Sequence, residues 1–231
     1  MKSSFLLESI NQKTFIIADP QFGSRSLFEH IELRRHYGSI ETLHDTLIEN
    51  WNANVREDDF VLCLGGFSQN IKNNKKSKEL IEEYTSYLNG KKILIRGNHD
   101  AENTCWYYDF GWNCLIEQPI IMIDGCMEWL TVPSQFCGCI ITYINGRRIM
   151  FSHFAIFEDE YKDCRYLIEK AFLRELFEEY ECEINIHGHS HHRTIDDPRC
   201  LCACVEQTDF SPVRLRDFLE SRLVENTQLV A

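Results

Sequence analysis

Side chains that can bind a metal ion recur in this sequence directly after short apolar runs. They fall at the ends of four predicted strands: at Asp19, at Asn98 and His99, at His153, and at His189 and His191. Carboxylate, amide and imidazole groups of this kind suit Zn, Mn, Fe and similar ions. A single histidine at a strand end is more often a hydrogen-bonded loop residue than a ligand, but four such clusters favour a shared site. The sequence therefore predicts a metal centre built from the ends of several strands.

The elements that would carry these clusters alternate between strands and helices. The pattern is clearest before Asn98, where the apolar run Ile93–Ile95 is followed by Gly97, at which the backbone can turn freely. Further strands are expected over 14–18, 59–64, 119–123, 140–144, 147–152, 183–186 and 201–205, and helices over 40–52, 80–88, 166–180 and 215–223. This alternation indicates a layered α/β fold, and the Asn145-Gly146 turn adds an antiparallel hairpin. Catalytic groups in such folds lie beyond the carboxyl ends of strands, where these clusters fall.

Residues 101–137 interrupt this alternation. They are rich in aromatic residues, cysteine and glycine, and contain one plausible strand over 119–123. Since no repeat or linker marks a boundary, we interpret them as an irregular insertion or lid within a single domain that spans residues 1–231. Their aromatic residues would form either a cover for the site or a surface for a protein partner: Trp106, Tyr107, Tyr108, Trp112 and Trp129.

The overall composition excludes several classes of protein. The net charge of −12 argues against general nucleic-acid binding, which needs a basic surface. No apolar run approaches the length of a membrane span and no export signal is recognised, so a cytoplasmic location is expected. The eleven cysteines are odd in number and irregularly spaced, as expected for reduced thiols rather than a disulfide framework. The alternating Cys200, Cys202 and Cys204 are likewise interpreted as buried thiols in preference to a zinc site.

Taken in order, the clusters resemble the motifs of the calcineurin-like metallophosphoesterase family. The family pattern runs Asp-x-His, Gly-Asp, Gly-Asn-His-Asp or Gly-Asn-His-Glu, a lone His, and Gly-His-x-His. In this chain it becomes Asp19-Pro20-Gln21, Gly65-Gly66, Gly97-Asn98-His99-Asp100, His153 and Gly188-His189-Ser190-His191. The small bacterial and phage-type members are the most similar, since Phe22-Gly23, Asn50-Trp51-Asn52 and Val205–Asp209 also look like theirs. The resemblance covers nearly the whole chain apart from 101–137.

The resemblance implies a fold, a chemistry and a role for each motif residue. The fold would be a central β-sandwich of mixed sheets flanked by helices, with two metal ions at the strand ends for phosphoester hydrolysis. By position, Asp19 and His191 would ligate the first ion, and Asn98, His153 and His189 the second. His99 and Asp100 would be catalytic residues, with His99 stabilising the phosphate or protonating the leaving oxygen.

Two positions depart from the family pattern. Gln21 stands where the family has a histidine ligand, and Gly66 stands where it has the aspartate whose carboxylate bridges both ions. Without a bridging anion, two divalent ions in a partly buried site repel each other strongly. Because three protein ligands plus water make a viable catalytic site, we expect one tightly bound transition metal (Mn, Zn, Fe or Ni) on the second ligand set. The first site is expected to bind weakly or not at all.

Two functions are compatible with this pattern. The first is metal-dependent hydrolysis of a small phosphomonoester or phosphodiester by an enzyme with a compromised two-metal site. Arg34 and Arg35 are its candidate substrate-binding residues, because arginine recognises phosphate and carboxylate in a bidentate manner. The alternative is a catalytically inactive pseudoenzyme that uses the fold as a metal-containing binding or scaffolding module. The number of motifs favours the enzyme, and the missing bridging carboxylate favours the alternative.

Overall fold

Two mixed β-sheets pack face to face in the computed structural model, which describes residues 2–69, 74–132, 134, 136–158 and 164–229. In chain order the strands are β1 (Phe15–Ile17), β2 (Phe60–Cys63), β3 (Lys91–Ile95), β4 (Cys114–Ile116), β5 (Ile120–Ile123), β6 (Cys126–Trp129), β7 (Cys139–Ile144), β8 (Arg147–Ser152), β9 (Ile184–His187), β10 (Cys200–Cys202) and β11 (Val213–Arg214). The helices are α1 (Lys2–Ser9), α2 (Arg25–His30), α3 (Glu32–Arg35), α4 (Ile40–Asn54), α5 (Asn74–Tyr87), α6 (Cys105–Asp109), α7 (Leu167–Glu179) and α8 (Leu215–Leu229).

The strand order explains why the polar clusters share one edge. The first sheet has the order β11-β1-β2-β3-β4 and the second the order β10-β9-β8-β7-β5-β6. Strands β1, β2 and β3 run parallel to one another, as do β8, β9 and β10. Antiparallel pairs occur in both sheets as well. The predicted sandwich of mixed sheets flanked by helices is therefore confirmed.

Three apolar layers hold the sandwich together. The central layer lies between the sheets and includes Leu62 from the first and Phe151 from the second. A second layer joins the outer face of the first sheet to α4, where Trp51 is fully buried. The third joins the outer face of the second sheet to α7 through Phe177. Because side chains along the strands face these apolar layers, the polar clusters are left at the strand ends.

The predicted hairpin is confirmed. Strands β7 and β8 pair in antiparallel register, with Ile144 opposite Arg147 at the turn. Asn145 and Gly146 both adopt positive φ angles, of 54° and 77°. This is the backbone conformation that a two-residue hairpin turn requires and that the Asn-Gly pair favours.

The segment 101–137, interpreted from the sequence as an irregular insertion or lid, contributes strands to both sheets. Strand β4 lies parallel to β3, with Ile116 opposite Ile95, and β5 and β6 belong to the second sheet. Tyr107 and Trp112 are buried and pack edge-on against Phe67. The strand expected over 119–123 corresponds to β5. Strands β4 and β6, of three and four residues, are too short to show a clear alternation of apolar and polar residues, which is why the sequence pattern missed them. A role as a lid or partner surface stays a prediction.

The chain crosses from one sheet to the other just after β10. The N–H of Ala203 donates to His187 O in the second sheet, and the Ala203 carbonyl accepts from Ala18 N–H in the first, both at 2.8 Å. Val205 N–H then donates to Ala18 O at 3.0 Å. The strand expected over 201–205 is shortened because its backbone changes partner here. This crossing carries Glu206 to the edge where the polar clusters lie.

Several element boundaries also differ from those expected. Helix α5 begins at Asn74, earlier than the expected residue 80, and residues 70–73 lie outside the described part of the chain. Helix α8 continues to Leu229 instead of ending at 223, and α1 was not expected. All eleven cysteines are free thiols. Over the described residues, no helix combines the length and apolar character needed to cross a membrane.

Candidate metal centre

Residues from both sheets meet at the carboxyl ends of the parallel strands. The chain leads from β1 to Asp19, from β3 to Asn98, from β8 to His153 and from β9 to His189. His189 N–H donates to Asp19 Oδ2 at 2.7 Å across the two sheets. The structure therefore brings together clusters that are far apart in the sequence.

Asn98, His153 and His189 converge on one point. His153 Nε2 lies 2.8 Å from Asn98 Oδ1, and His189 Nδ1 lies 3.1 Å from the same oxygen. Neighbouring ligands of a divalent ion with bonds of about 2.1 Å are separated by roughly 3.0–3.4 Å. His153 is completely buried, whereas Asn98 is partly exposed. These two distances are close to those between neighbouring ligands of one divalent ion, and Asn98 is a partly exposed member of the set.

The hydrogen bonds of His153 determine which of its ring nitrogens can bind a metal. Its Nδ1 lies 2.7 Å from the carbonyl oxygen of Leu64, which can only accept, so Nδ1 carries the proton. With Nδ1 donating to Leu64, Nε2 is the ring nitrogen that faces Asn98 Oδ1, which is also an acceptor. Two acceptors at 2.8 Å require a proton or a cation between them. A histidine that donates one N–H to a backbone carbonyl is also the usual form of a metal ligand.

Asp19 supplies a buried carboxylate beside this group. Its Oδ1 accepts from Gln21 Nε2 at 3.3 Å, and its Oδ2 accepts from the backbone N–H of His189. Burial raises the pKa of Asp19, but the nearby His153 imidazole and the His189 hydrogen bond more than offset this, so the pKa lies well below its usual range. Asp19 is therefore an anion that can offset the charge of a bound cation.

His191 is held by Glu206. His191 Nδ1 is 3.2 Å from Glu206 Oε1, which also accepts from Arg34 Nε at 2.7 Å. Burial lowers the pKa of His191, but the hydrogen bond to Glu206 and the charge of Asp19 outweigh it and raise the pKa overall. With Nδ1 donating to Glu206, Nε2 is the ring nitrogen available to an ion.

Arg34, expected to bind substrate, lies buried beneath the centre. Its three guanidinium nitrogens all donate to protein acceptors: Nε to Glu206, Nη1 to Pro20 O at 3.1 Å and Nη2 to Asp19 O at 2.7 Å. Arg34 thus fixes the backbone that carries Asp19 and the carboxylate that holds His191. Arg35 is exposed, and its Nη1 donates to the carbonyl oxygen of Glu29 at 3.0 Å.

Asp100 braces the loops at the ends of β2 and β3. Its carboxylate accepts from the N–H groups of Gly66 and Phe67 at 2.9 Å, from Gly97 N–H at 2.7 Å and from the Tyr107 hydroxyl at 3.1 Å. Burial is the largest influence on the pKa of Asp100 and raises it, although these hydrogen bonds oppose the shift. With four donors satisfied inside the protein, Asp100 occupies a supporting position.

His99 follows Asn98 directly and is partly exposed. Burial lowers the pKa of His99, while the charge of Asp19 opposes the shift. The ring is therefore neutral near pH 7 and offers one N–H donor and one lone pair. This places an ionisable side chain next to the ligand set and within reach of solvent.

The two positions that depart from the family pattern lie against Asp19. Gly66 has a φ of +65°, and a Cβ atom built on it would overlap Asp19 Oδ1 and lie 2.8 Å from Gln21 Nε2. Among the residues that the structure describes, Gln21 Oε1 is buried without a hydrogen-bond partner. The space beside Asp19 thus holds the Gln21 amide, and residue 66 contributes no carboxylate to it.

Four non-glycine residues at the centre adopt left-handed backbone conformations. Their φ angles are 54° at Asp19, 54° at Gln21, 65° at His189 and 52° at His191. Residues with a Cβ atom pay about 1–2 kcal/mol for this conformation, so each must be held by its surroundings. The hydrogen bonds of the Asp19 carboxylate and of Glu206 provide that support.

Two residues of the centre were not predicted from the sequence. Cys204 and Glu206 lie with His191 so that one ligand atom from each is within 4.8 Å of the others. Val205–Asp209 resembles the family but contains no ligand pattern, and Cys204 only continues the alternation of buried cysteines. The signal that would have found them is the backbone crossing after β10, which the sequence does not show.

This fold and this arrangement of strand-end ligands define a metal-dependent phosphoesterase class. A model of the calcineurin-like phosphoesterase family matches residues 13–193, and the chain belongs to that family. The resemblance inferred from the motifs is therefore confirmed. The chemistry of the family is phosphoester hydrolysis with divalent metal ions.

Individual relatives add little about function. The uncharacterized protein MJ1445 of Methanocaldococcus jannaschii is 36% identical over 89 residues, which are 38% of this chain and 47% of that protein. The protein of unknown function AQ665 from Aquifex aeolicus shares the fold, with a TM-score of 0.63 at 20% identity over 90% of this chain and 98% of that one. A novel archaeal phosphodiesterase has a TM-score of 0.37 at 15% identity, over 83% of this chain and 81% of that one. A score that low supports no conclusion.

Proposed function

We propose that this protein hydrolyses a small phosphomonoester or phosphodiester with one tightly bound divalent ion, Mn, Zn, Fe or Ni. Asn98, His153 and His189 would hold that ion. The observation that carries the proposal is the convergence of two imidazole nitrogens on Asn98 Oδ1, at 2.8 and 3.1 Å. When bound, such an ion supplies a Lewis acid and lowers the pKa of a coordinated water.

The residues around this ligand set supply orientation and charge. The Leu64 carbonyl fixes the His153 ring, and Asp100 holds the glycine backbones on either side of it in place. The Asp19 carboxylate, which accepts from the backbone N–H of His189, contributes one negative charge. A divalent ion in this centre would therefore keep a net positive charge. A phosphate anion is attracted to that excess even though the chain carries a net charge of −12.

His99 is the residue that we assign to the phosphoryl group. It is adjacent to Asn98, partly exposed, and neutral because burial lowers its pKa. A neutral imidazole can donate its N–H to a phosphoryl oxygen and can relay a proton to the leaving oxygen. Asp100 then acts as a positioning residue, because it holds Gly97 and thereby the turn on which His99 lies.

A second candidate function is a metal-containing binding module without catalysis. It is favoured by one observation, the absence of a carboxylate at Gly66 beside Asp19. In this case the ion would serve stability or recognition, and the protein would bind phosphorylated ligands without turning them over.

Metal content and hydrolysis measured on the same samples separate the two functions. The full chain is loaded with Mn, dialysed and assayed with bis(p-nitrophenyl) phosphate. We expect about one Mn per chain and slow hydrolysis. Asn98→Ala should lower Mn affinity and kcat/KM by at least about a hundredfold, since losing a ligand costs more than losing an outer-shell partner. His99→Ala should lower kcat/KM and leave the Mn content unchanged.

His36→Ala is the matched control, because His36 is exposed at the end of α3 and away from the strand ends. Its Mn content and rate should equal those of the unmodified protein. Two Mn ions per chain that survive dialysis would contradict the single-ion centre. A protein that binds Mn but shows no hydrolysis when loaded with Mn, Zn, Fe, Co or Ni would support the binding module instead.

A further inference from the structure

We infer that His191, Cys204 and Glu206 form a separate site for zinc or another thiophilic divalent ion. It would replace the first ion of the family pattern, whose ligands are missing at Gln21 and Gly66. The site goes beyond the proposed phosphoesterase function, because it uses none of the three residues that hold the catalytic ion.

The geometry of these three residues is close to that of a bound zinc. One ligand atom from each lies within 4.8 Å of the others, and the Cys204 thiol donates to Asp19 Oδ2 at 3.4 Å. A tetrahedral zinc with bonds of about 2.3 Å to sulfur and 2.0–2.1 Å to nitrogen or oxygen separates its ligands by about 3.3–3.6 Å. Since 4.8 Å is the upper limit of the separations, a contraction of at most about 1.2–1.5 Å closes the set. Asp19 is near enough to be a fourth ligand.

Glu206 has one oxygen that the protein leaves without a partner. Its Oε1 accepts from Arg34 and His191, but within the described part of the chain its buried Oε2 has no hydrogen-bond partner. A charged acceptor that is buried without a partner destabilises the protein, because burial removes its hydration and nothing replaces it. A cation bound through Oε2 removes that penalty and leaves the contact with Arg34 intact.

The local charges balance when a divalent ion is present. Asp19, Glu206 and a Cys204 thiolate are three negative groups, and the Arg34 guanidinium together with a divalent ion neutralises them. The bond formed is between the ion and the Cys204 sulfur, and the thiol proton leaves to solvent. Buried charges are tolerated in proteins when they are paired or coordinate a metal.

The donor set also selects the kind of ion. Thiolate ligands favour zinc and other soft or borderline ions, whereas carboxylate and carbonyl ligands suit Mn. The Asn98 group has no sulfur, so Mn should bind there and leave the Cys204 site empty. Zinc and cobalt should bind both. The two sites can therefore be distinguished by the ion used.

Cobalt binding to the metal-free full chain tests this assignment, since a cobalt–thiolate bond produces a charge-transfer band in the near ultraviolet. The titration is done with CoCl₂ in a reducing, non-chelating buffer. We expect the band to appear and to be bleached by zinc. Cys204→Ser should reduce its intensity at least tenfold, and Glu206→Gln should weaken the cobalt affinity of this site at least tenfold. Asn98→Ala should leave the band unchanged.

Cys200→Ser is the matched control, because Cys200 is a buried thiol of the same chain segment that contacts Asn185. It should keep the full band. A band that survives Cys204→Ser, or that depends on Cys202 instead, would overturn the assignment, as would its absence in the unmodified protein at two equivalents of cobalt. Zinc-edge X-ray absorption on the unmodified protein gives an answer without any variant: a sulfur neighbour at about 2.3 Å supports the site, and only nitrogen and oxygen neighbours refute it. If the unmodified protein shows the cobalt–thiolate band but no hydrolysis, the result would count against the proposed function and not against this site.

Discussion

At the scale of single residues, Gly66 determines how closely the backbone approaches Asp19 in the candidate centre. It lies against Asp19 with a φ of +65°, and a Cβ atom there would overlap the Asp19 carboxylate. Asp19 now accepts a hydrogen bond from Gln21 at 3.3 Å, which is the interaction that a second carboxylate would displace. The centre without metal is therefore adapted to glycine at this position.

Restoring the carboxylate should destabilise the metal-free protein and strengthen its response to metal. We expect Gly66→Asp to lower the free energy of unfolding by about 1–3 kcal/mol without metal, because the new side chain crowds and repels Asp19. Adding Mn should recover the lost free energy of unfolding. The double variant Gly66→Asp with Gln21→His should bind a second Mn equivalent. Its phosphodiesterase rate should rise by at least about tenfold, which corresponds to ~1.4 kcal/mol of barrier.

Gly66→Ala is the control for this experiment, because it adds the same Cβ atom without the charge. It should be destabilised with or without Mn. A folded double variant that binds one Mn or fewer would show that residue 66 does not face the ion.

At the scale of the elements, the position of Gly138 ties the segment 101–137 to the core. A Cβ atom at Gly138 would overlap the backbone oxygen of Ile116 at the end of β4 and lie 3.2 Å from the Glu117 Cα. The start of β7 therefore packs directly on the chain that leaves β4. This contact exists only if the segment belongs to both sheets.

We expect Gly138→Ala to lower the free energy of unfolding by about 1–3 kcal/mol, measured by urea denaturation, because rigid backbone cannot make room for the added methyl group. Gly146→Ala is the comparison, since its Cβ atom would meet nothing within 4 Å and only its φ of +77° adds strain. That variant should lose about 1–2 kcal/mol, from the left-handed backbone alone. Equal stability for Gly138→Ala and the unmodified protein would mean that β4 and β7 are not in contact.

Most of the parallel core could be predicted from the sequence, and the parts that could not have physical reasons. Strand β3 was expected because Ile93–Ile95 form an apolar run ended by Gly97, and the strand also includes Lys91 and Lys92. The hairpin followed from its Asn-Gly turn. The place of Glu206 could not be foreseen, since it depends on a backbone that changes partner at Ala203. The burial of Arg34 could not be foreseen either, because its three acceptors come from distant parts of the chain.

At the scale of the whole molecule, the candidate metal centre takes its residues from both sheets. Asp19 and Asn98 come from the first sheet, and His153 and His189 from the second. Without an ion, the sheets are joined at this edge by hydrogen bonds such as that from His189 N–H to Asp19. An ion held by Asn98, His153 and His189 adds a link between them that the unfolded chain lacks.

Mn should therefore stabilise the fold as a unit. At an Mn concentration of a hundred times Kd, we expect the free energy of unfolding to rise by about 2.7 kcal/mol. Hydrogen exchange should slow at the carboxyl ends of both β3 and β8. Asn98→Ala should abolish both effects, whereas His36→Ala should preserve them. Protection confined to one sheet would argue against an ion shared between the two.

The left-handed backbone at the centre has a consequence for how this sequence can change over time. Glycine would relieve the strain at Asp19, Gln21, His189 and His191, so drift toward glycine at these positions favours folding. Gly66 is a glycine in the same left-handed conformation, at a position where the family carries aspartate. At the four other positions the same relief would remove a side chain from the centre. Folding and the proposed metal binding therefore make opposite demands on those positions.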